Sequence, residues 1–224
     1  MIAPLLRRLA LCLLLLGGAA GALAHPHGRL DCSLALQADG QGRLRGVALA
    51  LVLDAASSQS LRPRLGLDRP DDGQARLFAQ MLAGMFRHSG WMLQLRGAEA
   101  GPAGAALDLQ DPEPPRWRTL ADGRLELAVD LKPAAGAPAL DGLQIACRDP
   151  VWYWLTGFAE PAQIQAPGTA CQARLDGLGD AAEQAQALQA AARQAGAPGA
   201  DRMAEGLERG PQRLSPTARL ACPG

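Results

Sequence analysis

The chain has little of several things, and each shortage excludes something. One lysine, Lys132, stands among 22 basic residues that balance 22 acidic ones over 224 residues. With no surplus of positive charge and no basic run, nucleic acid and anionic membrane surfaces are poor candidate partners. Only eight residues are aromatic, and Tyr153 is the single tyrosine. So few large rings are needed for packing before they can serve as a ligand platform. Histidine occurs three times, as His25, His27 and His88. No pair of cysteines has the close C-x-x-C spacing of a zinc knuckle, so a cysteine-based zinc site is not expected. No His–Cys motif and no evident carboxylate pair supplies a catalytic constellation, and a non-enzymatic protein is expected. After the first 24 residues no apolar run is long enough to span a membrane, so no direct membrane insertion is expected.

What is present begins with an export signal. Arg7 and Arg8 form a basic start, Leu9 to Leu16 an apolar run, and Ala22-Leu23-Ala24 an A-x-A cleavage site. Residues 1–24 read as a cleaved signal peptide, and residues 25–224 as one domain exported to the periplasm. Cys12 follows Leu11 rather than a small residue, which argues against a lipid anchor. Removing Arg7 and Arg8 leaves 20 basic residues against 22 acidic ones, a charge of about −2.

Cleavage there makes His25 the first residue. Its α-amine titrates near ~8 and its imidazole near ~6.5, so both donors are available around neutrality and can chelate one metal ion. His27 adds a second imidazole, while Pro26 removes the amide that an amino-terminal copper clamp would ionise. Zinc, nickel and copper accept such donors. Asp31 and His88 are further candidate ligands. The plain alternative is a solvated terminus, an outward-facing Asp31, and a His88 partly buried at the edge of a helix.

The remainder reads as mainly β. Leu30, Cys32, Leu34 and Leu36 alternate with polar residues, Asp39-Gly40-Gln41-Gly42 makes a turn, and Val47, Leu49, Leu51 and Leu53 alternate again, which is a hairpin. Residues 55–70, with Ser57, Ser58, Pro63 and Pro70, read as loop. A helix follows, capped by Asp71 or Asp72, with an apolar stripe of Leu77, Phe78, Met81, Leu82, Met85 and Phe86. Strands are expected at Trp91 to Leu95, Ala105 to Leu109, Arg116 to Leu120, Arg124 to Leu131, Leu143 to Cys147, Val151 to Leu155, Ala170 to Leu175 and Thr217 to Cys222. An Ala/Gln-rich stretch from Asp180 reads as a peripheral helical segment. The expected fold is a β-sandwich of seven to nine strands with helical insertions at about 71–90 and 180–209.

Four cysteines remain after cleavage: Cys32, Cys147, Cys171 and Cys222. An even number in an oxidising compartment points to disulfides, and four allow three pairings. Cys32 and Cys147 lie on inward strand faces, and Cys171 and Cys222 on strands that bracket the helical stretch. Those two pairs are favoured.

The order of these features resembles a known family. A signal peptide, then His25-Pro26-His27, Asp31 on the first strand, an Asp-Gly turn, a helical insertion and Asp149-Pro150 before aromatics are similar to a bacterial domain-of-unknown-function family. That family is described as the periplasmic component of an uncharacterised ABC-type transport system. The resemblance implies a periplasmic protein tied to transition-metal transport, with a membrane permease of the nickel/cobalt type as partner. Many members carry a calcium-loop-like segment before the helix. Here Pro70 stands at its third position and Ala79 at its twelfth, so the oxygen ligands are missing and calcium binding is not expected. Intact-mass analysis of the exported protein should give a chain beginning at His25. Any other first residue removes the chelating amine.

Overall fold

A computed structural model describes residues 28–67, 72–98, 106–134, 136–150, 154–176 and 216–223. The expected signal peptide, His25, His27, Trp152, Tyr153, and the helical stretch from 180 to 209 lie outside the described residues. Eleven strands and two α-helices are described. The strands form one sheet of seven and one of four.

The first hairpin is as expected. β1 (Gly28–Ala38) and β2 (Leu44–Leu53) pair antiparallel, with Leu30 opposite Leu53, Cys32 opposite Leu51 and Leu34 opposite Leu49. β6 (Leu125–Pro133) continues the ladder, Leu49 facing Val129 and Leu51 facing Leu127. Every inward residue of these rows is at most 2% exposed, because the period of two puts one face of each strand wholly in the core. Along the far edge of β6 run β4 (Leu109–Gln110) and β5 (Arg116–Thr119). Along the other edge of β1, in parallel, run β8 (Trp154–Gly157) and β9 (Ile164–Gln165).

The smaller sheet is antiparallel, in the order β10 (Gln172–Asp176), β11 (Thr217–Ala221), β7 (Gln144–Cys147), β3 (Leu93–Arg96). Leu95, Leu143, Ile145, Ala218 and Leu220 join the residues of the larger sheet in one core. The Cys32–Cys147 disulfide crosses between the sheets, and Cys171–Cys222 closes the β10–β11 edge. Both are the favoured pairs. The strand count exceeds the seven to nine expected because β4 and β9 are two-residue strands, too short to show a period.

Three local expectations need correction. Within residues 55–70, expected as loop, residues 55–65 form a helix, α1 (Ala55–Leu65). The Asp54 side chain accepts from Ser57 N–H as N-cap, and Gly66 ends the helix at φ 56. Pro63 falls in the last turn, where it costs a single hydrogen bond. Ser58, which looked like loop chemistry, is 1% exposed and bridges two strands. Its hydroxyl donates to the Leu53 carbonyl at 3.2 Å and accepts from Leu125 N–H at 2.9 Å.

Second, Trp91 does not start a strand. Gly90, Trp91 and Met92 have φ near +60°, a left-handed turn costing about 1–3 kcal/mol per strained non-glycine residue. Burial of Trp91 and Met92 offsets it, and β3 starts only at Leu93. Third, the apolar stripe of α2 (Gly73–His88) is two stripes. Ala75, Leu82 and Phe86 face the core, whereas Leu77, Met81 and Met85 face outward at 67, 55 and 52% exposure.

Ser58→Ala should cost about 1–3 kcal/mol, because the buried Leu125 N–H loses the hydroxyl that accepts it. Urea unfolding measures it, and an unchanged midpoint would mean that the bridge adds nothing.

Candidate functional site

The region to build from is the start of β1, because His25 and His27 lie just before it in the sequence. Gly28 sits where no side chain fits. A Cβ there would collide with Ser57 Oγ and lie 2.7 Å from both Asp54 Oδ2 and Trp154 Cζ3. Three elements therefore meet at one residue: β1, the N-terminus of α1 and β8.

Asp54 is the joint between them. Its Oδ2 accepts from the Arg29 N–H at 2.6 Å and the Ser57 hydroxyl at 2.9 Å, and its Oδ1 from the Ser57 N–H at 2.8 Å. Burial works to raise its pKa. The backbone donors of Ser57 and Arg29 outweigh that and hold the carboxyl below its ordinary range. Sequence reasoning missed this residue, although Asp before a helical run is a standard N-cap signal.

A second carboxylate, this one buried, holds the β8 side. Asp149, 1% exposed, accepts from Trp154 N–H at 2.8 Å, and its own N–H donates to Thr156 Oγ at 2.9 Å. The Thr156 hydroxyl passes the connection to the Cys147 carbonyl at 3.1 Å. The Asp-Pro motif is thus part of the scaffold, tying the disulfide strand to Trp154. Phe86 packs between Trp154 and Trp117 with ring centroids 6.4 and 6.3 Å away.

Beside this joint a groove of about 450 Å³ runs between the helices. Ser57, Leu61 and Arg64 of α1 line one wall, Phe78, Met81 and Met85 of α2 the other, and Trp154 also lines it. A recess of about 80 Å³ next to it is bounded by Met85, Phe86, Met92 and Asp149. The larger hollow, about 610 Å³, is a trough on the outer face of the seven-stranded sheet. Its floor is Ser33, Ala35, Ala48, Ala50 and Ala128, and its charged wall is already paired, Arg116 with Asp130 at 2.8 Å and Arg118 with Glu126 at 2.6 Å.

The predicted metal ligands are placed as follows. His25 and His27 immediately precede the first described residue. Asp31 is outward on β1, in ion pairs with Arg29 Nε at 2.9 Å and Arg124 at 3.4 Å. His88 is the last residue of α2 and is exposed, not partly buried as expected, because the helix turns Phe86 inward and leaves its C-terminus in solvent. Among the described residues no three His, Cys, Asp or Glu side chains converge to hold a metal ion. The four cysteines among the described residues are all in disulfides, which fits an oxidising compartment. No helix among the described residues is long and apolar enough to cross a membrane.

A family model agrees with the resemblance to a bacterial domain-of-unknown-function family. Residues 10–207 match the family described as "Protein of unknown function (DUF1007)", and the chain belongs to that family. No curated protein and no solved structure gives a significant match.

The lowered pKa of Asp54 has a direct consequence. A depressed carboxyl contributes stability that is complete above its unfolded value of 3.8 and is lost as pH falls through the folded value. The Arg29 and Ser57 amides should therefore lose hydrogen-exchange protection below about pH 4, earlier than the β2–β6 ladder. Asp54→Asn should cost about 1 kcal/mol at neutral pH and flatten that acid dependence. Equal acid dependence in both proteins would rule out the Asp54 joint.

Proposed function

We propose that this is a periplasmic binding protein serving transition-metal transport, and that His25 and His27 hold zinc, nickel or copper for a membrane permease. It acts by binding, without a catalytic step. The observation that carries this reading is the fixed origin of the histidine segment. Gly28 is enclosed by Ser57, Asp54 and Trp154, and its neighbour Arg29 is tied through its N–H to Asp54. Covalent geometry keeps His27 one residue, about 3.8 Å between Cα atoms, from that point. A donor pair leaving a rigid point loses less entropy on metal binding than one on a free tail.

Asp31 is the weaker partner for such a site, since a metal would have to displace Arg29 and Arg124 from its carboxylate. His88 enters only as a further imidazole on an exposed helix end. The motif order supports the transport part of the reading through the resemblance it carries, and the two disulfides fit an oxidising compartment such as the periplasm. The second reading is a docking module that binds no metal, and the exposed Leu77, Met81 and Met85 favour it.

Calorimetric titration of Zn(II), Ni(II) and Cu(II) into protein with a native His25 terminus is the test. Binding near one to one should weaken by at least about tenfold in a His25→Ala/His27→Ala variant, roughly 1.4 kcal/mol or more. It should also weaken as pH drops below ~6.5, where protons compete for imidazole. Affinity indifferent to the double substitution would exclude the terminal site and leave the docking reading.

A further inference from the structure

We infer that the groove between α1 and α2 receives an amphipathic helix of a protein partner, apolar along one side and acidic along its edges. The inference rests on the partner half of the proposed function and is independent of its metal half.

The large hydrophobic side chains most exposed among the described residues are Leu77, Met81 and Met85. They are spaced by four, so they form a single stripe along α2, about 12 Å long at 1.5 Å per residue. The stripe is not isolated. Met81 and Met85 also line the groove of about 450 Å³, whose walls continue apolar through Phe78 and Leu61 to Trp154. Two helical walls that continue apolar to Trp154 match the kind of groove that takes a helix by its i, i+3, i+4 and i+7 side chains. Methionine suits such a wall, because its unbranched thioether repacks around a guest without loss of contact.

Charge selects among the occupants. α1 and α2 carry Arg62, Arg64, Arg76, Arg87 and His88 and no acidic residue. Arg64 stands at the groove itself, its guanidinium 5.5 Å from the centre of the Phe78 ring. The aspartates at the two helix starts, Asp54 and Asp72, spend their carboxylates on backbone N–H groups. Arg87 is paired with Asp111 at 2.6 Å and Arg62 donates to the Gly123 carbonyl, and among the described residues that line the groove Arg64 alone is charged. An acidic edge on the guest complements this rim, and electrostatic complementarity of that kind sets partner choice and orientation. A second copy of this chain would bring arginine against arginine. A membrane surface is flat and would leave the concave groove unfilled.

The test uses the full exported chain, stripped of metal by chelator. The probe is a synthetic amphipathic peptide of about 16 residues with leucines on one face and glutamates on its flanks. A matched peptide replaces the glutamates by lysine. Tryptophan fluorescence reads binding, because Trp154 lines the groove. The acidic peptide should bind saturably and at least about tenfold tighter than the basic one. Met81→Glu and Met85→Glu should each weaken it by at least about tenfold with the unfolding midpoint unchanged, since both side chains are more than half exposed. Arg64→Glu should reverse the preference between the peptides. The inference is overturned by absent binding, by equal binding of the two peptides, by co-sedimentation with phosphatidylglycerol vesicles in place of peptide binding, or by a concentration-dependent dimer that the methionine variants abolish. A His25→Ala/His27→Ala protein that still binds the acidic peptide, and whose parent binds no metal, would sink the metal reading alone.

Discussion

Leu30, Cys32, Leu34 and Leu36 of β1 must face Leu53, Leu51, Leu49 and Val47 of β2, and a slip of one residue would turn the whole row outward. The rest of the molecule follows from that register. It aims Cys32 at the smaller sheet, where the disulfide to Cys147 fastens β7. Two residues beyond Cys147, Asp149 takes the Trp154 N–H, and Trp154 lies beside Gly28 at the start of the same β1. The path closes on itself. Core hydrophobicity, one covalent bond and one buried carboxylate fix the place from which the histidine segment departs.

Polar groups do the joining that apolar packing leaves undone. Ser58 and the half-buried Asp54 each satisfy backbone groups of two elements, and the buried Asp149 accepts the Trp154 N–H while its own N–H donates to Thr156. Apolar contacts are non-directional and would tolerate sliding of α1 over the β2–β6 edge. Hydrogen bonds at about 3 Å do not, because an unmade bond leaves a buried donor at a cost of about 1–3 kcal/mol. This economy suits a chain with few aromatic residues. Phe86 gathers two rings, Trp117 and Trp154, beside it, and leucine fills most of the remainder of the core.

The two faces of α2 separate folding from recognition. Ala75, Leu82 and Phe86 attach it to the sheet, and nothing in the packing requires Leu77, Met81 and Met85 to be apolar. A helix stabilised only from within would carry polar residues there. The outer stripe and the groove beside it are therefore the part of the surface least explained by the needs of the fold. The outer trough of the large sheet differs, because its arginines and carboxylates already satisfy one another.

Much of the architecture was legible in the sequence. Alternation over residues 30–36, 47–53 and 125–131 determined three strands and their inward faces, since a period of two depends only on neighbouring residues. Inward faces and bracketing strands also gave the two cysteine pairs. What the tertiary structure alone decided depends on residues far apart in the chain. The parallel pairing of β8 with β1 leaves no local mark, yet it brings Trp154 against Gly28. α1 was hidden because Ser57, Ser58 and Pro63 are turn residues by local preference, and only Asp54, Leu53 and Leu125 supply the partners that make them helical. The stripe of α2 read as a single face because periodicity reports that side chains are apolar, and only packing decides which of them find a neighbour.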